Sequence, residues 1–219
     1  MKILLVKFRN IGDVLLVTPL VSNLKAYYND AQIDIAVNRY TDPESWCKLI
    51  NKCGVNYVQL TADLINPSLP ENIINEQINS INYWRKEYDI KVSSTFTGAY
   101  TRLNHLTHPD KKIRLYWVDW FKKFAEITVK TGSDTMGSHF GILTTEEYSD
   151  KLVFEKRKND AIKYWQEIAA YGKELGLKQI LWEPMSVGRE FGETIEKCSI
   201  LQFELNQNSP LSFKICLDV

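Results

Sequence analysis

Gln179-Ile-Leu-Trp-Glu-Pro-Met-Ser186 and Phe213-Lys-Ile-Cys-Leu-Asp-Val219 are short apolar runs that each lead into a carboxylate, Glu183 in the first and Asp218 in the second. Both runs have the length and residue types of a buried strand. About one strand-plus-helix unit separates the two acids. In a parallel α/β barrel, the carboxyl ends of the strands meet at one rim, where the chemistry takes place. The pair therefore predicts two adjacent carboxylates at a barrel mouth, which is half of a divalent metal site.

The rest of the chain alternates between strand and helix patterns in the same way. Further apolar runs typical of buried strands begin at Ile3, Ile33, Val55, Ile90 and Thr135. Repeated strand–helix units with apolar strands predict a parallel sheet, either doubly wound or closed into a barrel. Polar residues stand at or near the predicted strand ends at Gln59, Thr97, His139, Glu183 and Asp218. A barrel gathers these residues round one mouth, whereas an open sheet spreads them, so we favour the barrel.

Composition argues against two classes of partner. The formal net charge is zero, from 27 basic and 27 acidic residues, so no overall field attracts nucleic acid or an anionic membrane. The apolar run at Ile3 is interrupted at Lys7 and is too short for a signal sequence or a membrane span. The four cysteines form no C-x-x-C pair, which is typical of reduced thiols. We therefore predict a cytoplasmic protein that binds neither nucleic acid nor membrane.

Histidine and arginine residues near the predicted strand ends are the next positions to consider for the site. His139 lies inside an apolar strand, where a hydrogen-bonded core histidine and a substrate contact both stay open. Arg189 follows Glu183 in the next loop, and its guanidinium suits a phosphate, although solvent exposure is the alternative. His105 and His108 share a loop, but two histidines are too few to define a metal site. We predict that this loop covers the mouth and supplies no ligand.

From residue 39 to 219, the chain resembles the xylose-isomerase-like TIM-barrel family of sugar phosphate isomerases and epimerases. The resemblance is carried by Arg39-Tyr-Thr-Asp-Pro-Glu-Ser-Trp46, Ser94-Thr-Phe-Thr-Gly-Ala-Tyr-Thr-Arg102, Gly137-Ser-His-Phe-Gly141, Trp182-Glu-Pro-Met-Ser186 and Cys216-Leu-Asp-Val219. It implies a divalent metal, usually manganese or a similar ion, held at the mouth by Glu, Asp, His and Glu. By position, Glu183 matches the first ligand and Asp218 the second. The remaining His and Glu belong to later strands, which this sequence does not contain.

The chemistry of that family explains these residue types. Isomerising or epimerising a ketose requires removal of a proton next to a carbonyl group. A carboxylate is a suitable base, and a metal on the carbonyl oxygen stabilises the enediolate. Hard oxygen ligands suit manganese or magnesium better than zinc. The resemblance thus implies that Glu183 is both metal ligand and base for a small sugar or sugar phosphate. The alternatives are a capping or salt-bridging Glu183 and a solvated C-terminal Asp218.

The first 38 residues resemble a different family, the heptosyltransferase-like glycosyltransferases. The segment that carries this resemblance is Met1-Lys-Ile-Leu-Leu-Val-Lys-Phe-Arg-Asn-Ile-Gly-Asp-Val-Leu-Leu-Val-Thr-Pro-Leu20. It implies that Asp13 matches an acid proposed as base for a sugar acceptor. The alternative is a tight turn and helix cap at Gly12 and Asp13. Such an enzyme also needs a second domain for the nucleotide-sugar, so we disfavour glycosyl transfer.

The two resemblances together predict a fusion. Residues 1–38 form a glycosyltransferase-like βα unit, and residues 39–219 form a truncated TIM barrel with six family strands. A right-handed crossover places the first strand beside the second, which gives seven strands and one gap in an eight-stranded barrel. An exposed edge near residues 214–219 then favours self-association. We expect isomerase or epimerase activity, impaired by the missing strands; a non-catalytic fusion fragment is the alternative, and glycosyl transfer is the second.

Overall fold

The computed structural model describes residues 2–6, 11–30, 32–37, 42–98 and 101–217. Its strands are β1 (Lys2–Val6), β2 (Gln32–Val37), β3 (Tyr57–Thr61), β4 (Lys91–Phe96), β5 (Thr135–His139), β6 (Gln179–Glu183) and β7 (Ser212–Ile215). Its helices are α1 (Ile11–Tyr27), α2 (Pro43–Lys52), α3 (Glu71–Glu87), α4 (Lys111–Lys130), α5 (Thr145–Ser149), α6 (Lys151–Leu175) and α7 (Ile195–Asn206). Short 3-10 helices cover His105–Thr107 and Gly188–Glu190.

The seven strands form one sheet in sequence order, β1 to β7, and every neighbouring pair is parallel. A doubly wound sheet reverses its strand order at a switch point, whereas a barrel adds each new strand on the same side. The unbroken order therefore makes this chain an α/β protein built as a partial TIM barrel, as the sequence predicts. β1 pairs with β2 from Lys2↔Gln32 to Val6↔Ala36, which confirms the expected neighbour of the first strand.

The two faces of the sheet have different surroundings. Ile180 and Trp182 of β6 are buried in the core that the sheet shares with α4, α6 and α7. The alternate residues point the other way, because successive side chains in a strand face opposite sides. On that inner face Phe96, Gly137 and Leu181 lie side by side on β4, β5 and β6. A Cβ atom at Gly137 would meet both neighbouring side chains, so the glycine allows close packing inside the barrel wall.

Capping residues define where α4 and α6 begin and end. These two helices follow loops at the barrel mouth. Asp110 accepts a hydrogen bond from the Lys112 N–H and begins α4. Asp150 accepts from the N–H groups of Leu152 and Val153 and begins α6. α6 ends at Gly176, whose φ of 105° is the left-handed conformation that glycine adopts without strain. α4 and α6 then pack together, so that the loops before them have rigid supports.

Two further observations concern the sequence predictions on cellular setting. Within the described ranges, the helices include no stretch with the length and apolar character of a membrane span. The four cysteines, all of which are described, form no disulfide. The cytoplasmic location stays a prediction.

Candidate functional site

The carboxyl ends of β5 and β6 bring His139 and Glu183 together. These two residues are paired in register, and each is the last residue of its strand. They follow Gly137 and Leu181 by two positions, so they share the inner face of the wall. His139 is buried, and Glu183 is partly exposed. The structure therefore places both predicted site residues side by side at one rim.

Asp218, the second predicted metal ligand, lies outside the described residues. The chain leading to it remains beside β6, because the Cys216 N–H donates to the carbonyl of Trp182 at 2.9 Å. Its role as a ligand stays a prediction. Asp13 also has a side chain outside the description, so the base predicted from the glycosyltransferase resemblance remains untested.

His139 is hydrogen-bonded to a second histidine. The Nε2 atoms of His105 and His139 are 2.9 Å apart, and their ring centroids are 4.4 Å apart. His105 is completely buried, with Trp117, Phe121 and Trp165 as aromatic neighbours. The predicted loop over the mouth thus inserts one of its histidines into the core. His108, the other histidine of this loop, is only partly buried.

Burial keeps both rings of this histidine pair neutral. It lowers the pKa of His139 from 6.5 to about 4, although the Leu103 carbonyl and the Glu190 carboxylate oppose the change and Arg102 adds to it. Burial, followed by the neighbouring His139, also lowers the pKa of His105 well below 6.5. Near pH 7, the pair therefore acts through its hydrogen bonds and carries no charge.

An ion pair joins two loops beside His139. Arg102 follows β4, and its Nε and Nη2 atoms donate to Oε2 of Glu190 at 3.0 and 2.8 Å. The Glu190 side chain is only 6% exposed, whereas that of Arg102 is half exposed. Arg189 also approaches, with its Nη2 atom 4.0 Å from Oε1 of Glu190. A buried carboxylate is thus compensated by guanidinium groups that still reach the solvent.

The Arg189 side chain is hydrogen-bonded to a neighbouring loop and is also partly exposed to solvent. Its Nη1 atom donates to the carbonyl of Leu143 at 3.1 Å, and 41% of its side chain is exposed. The backbone is linked at the same place, because the Leu143 N–H donates to the Arg189 carbonyl at 2.8 Å. The loops after β5 and β6 are therefore joined, and the partly exposed Arg189 side chain lies at this junction.

Two residues in this region have left-handed backbone conformations. His105 has a φ of 28° and Phe191, which follows Glu190, has a φ of 66°. Such conformations cost of order 1–3 kcal/mol for residues other than glycine, and they persist only where the surroundings enforce them. Around His105, Asn104 Nδ2 and Thr107 Oγ1 both donate to the carbonyl of Ile142. These loop contacts therefore offset the free-energy cost of the backbone conformation that orients the His105 ring toward His139.

The described residues do not assemble a metal site by themselves. A cluster of three or more histidine, cysteine, aspartate or glutamate side chains suited to a metal is absent from the part of the chain with described placement. Glu183 is the one described member of the predicted ligand pair. Asp218, the other predicted ligand, lies outside that part, so we derive no chemical step through a metal.

Sequence reasoning did not identify Arg102, Glu190 or the buried role of His105 as parts of the site. Arg102 closes a segment that carries the family resemblance, and Glu190 is adjacent to the candidate Arg189. These neighbours are the only hints in the sequence, because the contacts join residues far apart in the chain.

The chain is similar in sequence to a sugar phosphate epimerase and in structure to sugar isomerases and epimerases. No protein-family model matches the chain. D-erythrulose 1-phosphate 3-epimerase from Brucella abortus (strain 2308) is 38% identical over 170 residues, which cover 77% of this chain and 55% of that protein. The chain thus spans about half the length of this curated relative.

Solved structures show the same fold. A putative xylose isomerase from Rhodospirillum rubrum has a TM-score of 0.79 and 23% identity, over 83% of this chain and 62% of that one. D-psicose 3-epimerase with D-tagatose, from Clostridium cellulolyticum H10, has a TM-score of 0.66 and 14% identity, over 84% and 62% of the two chains. At these identities the likeness concerns the fold, a xylose-isomerase-like TIM barrel.

Proposed function

We propose that this chain acts on a small ketose or ketose phosphate and isomerises or epimerises it through an enediolate. One observation carries the proposal: Glu183 and His139 end adjacent parallel strands in register, on the inner face of a partial barrel. The carboxyl ends of barrel strands are where active sites of this fold lie. The 38% identity to a D-erythrulose 1-phosphate 3-epimerase supports the sugar substrate.

Glu183 is the proposed base. Its carboxylate takes the proton from the carbon next to the carbonyl, and the electron pair of that C–H bond moves toward the carbonyl oxygen. A proton delivered by water to the other face of the same carbon gives the epimer, and Glu183 then releases its own proton to the solvent. Return of the proton by Glu183 to the former carbonyl carbon, with transfer of the hydroxyl proton between the two substrate oxygens, gives the isomer. Partial exposure at a strand end leaves Glu183 accessible for this transfer.

The other residues at the rim bind and orient the substrate in this proposal. His139 contacts a substrate oxygen as a neutral ring. Arg189 and Arg102 have partly exposed side chains beside this rim, and their remaining N–H groups donate to a phosphate group of the substrate. Glu190 holds Arg102 in place through two hydrogen bonds.

We also propose dependence on a divalent cation, manganese or a similar ion, with Glu183 and Asp218 as ligands. A cation there would stabilise negative charge on the substrate oxygen. Thermal unfolding with and without Mn²⁺ tests this part, since a ligand that binds the folded state raises its stability. We expect stabilisation that Glu183→Gln reduces; the same unfolding temperature at millimolar Mn²⁺ contradicts the proposed site.

The activity is tested with a panel of four- to six-carbon ketoses and their 1-phosphates, incubated with Mn²⁺ and analysed by chromatography. We expect conversion of at least one ketose, and loss of conversion in Glu183→Gln. Arg189→Met should lower kcat/KM for phosphates more than for free sugars. A protein that converts none of the panel contradicts the proposal and leaves the non-catalytic alternative. Saturable binding of a nucleotide-sugar would instead favour glycosyl transfer.

A further inference from the structure

The histidine pair has a hydrogen arrangement that its contacts determine. The Leu106 N–H donates to Nδ1 of His105 at 2.7 Å. A ring nitrogen that accepts a hydrogen bond carries no proton, and a neutral histidine carries one proton. The proton of His105 is therefore on Nε2. That atom lies 2.9 Å from Nε2 of His139, so His105 is the donor of this hydrogen bond and His139 the acceptor.

One contact favours the opposite arrangement, and its length decides against it. Nε2 of His139 is also 3.4 Å from the carbonyl oxygen of Leu103, which requires a proton on that nitrogen to be a hydrogen bond. A distance of 3.4 Å is beyond the usual range for N–H···O, whereas 2.7 and 2.9 Å are within the range of good hydrogen bonds. The two short contacts agree with each other and together outweigh the long one.

We infer that His105 is a positioning residue that commits His139 to its Nδ1–H form, so that His139 serves the site as a hydrogen-bond donor to a substrate oxygen. The hydrogen bonds among the described residues use Nε2 of His139 and leave its Nδ1–H available. The donor role rests on the proposed function, whereas the hydrogen arrangement does not. A ring fixed in this way cannot take a proton at Nδ1, so the base must be another group, which is consistent with Glu183.

The surroundings make this commitment rigid. His105 is completely buried among aromatic rings, and its backbone φ of 28° is held by the loop contacts to Ile142. The following residues are fixed as well, because Arg114 Nη1 donates to the carbonyls of His108 and Pro109. Strain that is enforced by several independent contacts is a feature of functional sites. His105 therefore has little freedom to rotate and reverse the hydrogen bond.

The test is nitrogen-15 NMR of the histidine rings, which is simple because the chain has three histidines. We expect His139 in the Nδ1–H form and His105 in the Nε2–H form at pH 7. In His105→Phe the donor is gone, and we expect His139 to shift toward the Nε2–H form, in which Nε2–H donates to the Leu103 carbonyl. His108→Phe makes the same substitution on the same loop and should leave the spectrum of His139 unchanged. A proton on Nε2 of His139 in the unsubstituted protein overturns the inference.

A kinetic comparison tests the consequence for the site. With a ketose that the protein converts, His105→Phe should lower kcat/KM by about tenfold, the usual effect of one lost neutral hydrogen bond, and His108→Phe should not. A shifted His139 with unchanged kcat/KM overturns the positioning role. If no ketose is converted, the proposed function fails, and the NMR result still decides the hydrogen arrangement. The spectrum of the unsubstituted protein also decides it if His105→Phe does not fold.

Discussion

Arg102 donates two hydrogen bonds to one oxygen of Glu190 and thereby joins the loop after β4 to the loop after β6. The pair is asymmetric, because the Glu190 side chain is almost completely buried while half of the Arg102 side chain is exposed. Removing Arg102 should therefore change the free energy of unfolding by a different amount from neutralising Glu190. Loss of Arg102 leaves a buried charge with less compensation, whereas a neutral amide at position 190 leaves a guanidinium that water can still solvate.

The first prediction follows from this asymmetry. Arg102→Met should lower the free energy of unfolding by about 2–3 kcal/mol, because it leaves the Glu190 carboxylate buried. Glu190→Gln should cost about 1 kcal/mol, since the amide keeps the shape and one acceptor. Urea unfolding of the two variants measures both values. Lys178→Met is the matched control, because the Lys178–Asp134 pair is largely exposed and its loss should not shift the midpoint. Equal costs for Arg102→Met and Glu190→Gln would contradict the account.

The second prediction concerns pH and the histidine pair. The folded pKa of His139, about 4, is below its ordinary value of 6.5, so the unfolded chain binds more protons between these values. The contribution of His139 to stability is thus complete above pH 6.5 and decreases as the pH falls toward 4. From pH 7 to pH 5 the free energy of unfolding should decrease by about 2 kcal/mol from this group alone, and His105 adds in the same direction.

Variants separate this effect from the titration of carboxylates. His139→Gln should make the pH dependence between pH 7 and 5 shallower, and His105→Gln should act in the same direction, because burial lowers the pKa of both rings. Urea unfolding at several pH values gives the slopes. A free energy of unfolding that does not change from pH 7 to 5 would show that the pair is not buried as described.

The third prediction tests the packing of the barrel wall. In Gly137→Ala, the new methyl group would overlap the Phe96 ring and lie 2.9 Å from Leu181 Cβ. Overpacking of this kind costs typically 1–3 kcal/mol. In the double variant with Phe96→Leu, part of that cost should disappear, because the smaller side chain makes room. If the free-energy costs of Gly137→Ala and Phe96→Leu simply add in the double variant, Gly137 and Phe96 are not neighbours on the inner face.

The fourth prediction concerns the β7 edge of the sheet. Within the described residues β7 pairs only with β6, and Ile215, its last residue, and Leu217, which follows it, are 38% and 67% exposed. Exposed apolar edges favour pairing with a second copy, so we expect concentration-dependent association in sedimentation velocity. Leu217→Lys should weaken it. Leu152→Lys removes another exposed leucine, on α6, and should not. Monomers at all concentrations would contradict this proposal.

The residue patterns predict the strands and their parallel order well, because each buried strand leaves its own local signature. The same patterns place His139 and Glu183 at one rim, since register at strand ends follows from strand spacing. Glu183 as a base, and Asp218 as its partner ligand, remain predictions.

The loop contacts of the site could not be predicted in the same way. Arg102 and Glu190 are 88 residues apart, and His105 and His139 are 34 apart. Whether they meet depends on loop conformations that backbone bonds set, such as the one from Leu143 to Arg189. Such bonds use atoms that every residue has, so the sequence carries no mark of them. The positive φ of His105 is also uncommon for a residue other than glycine, so the sequence does not predict it.

The most direct test of the central claim is proton exchange at the carbon next to the carbonyl. A four-carbon ketose 1-phosphate is incubated in D₂O with Mn²⁺ and the protein, and its carbon-bound protons are followed by NMR. We predict that deuterium enters that carbon, and that Glu183→Gln lowers the rate by at least about 100-fold, the usual range for loss of a general base. Exchange no faster than with Mn²⁺ alone, or equal rates for the protein and Glu183→Gln, would contradict the account.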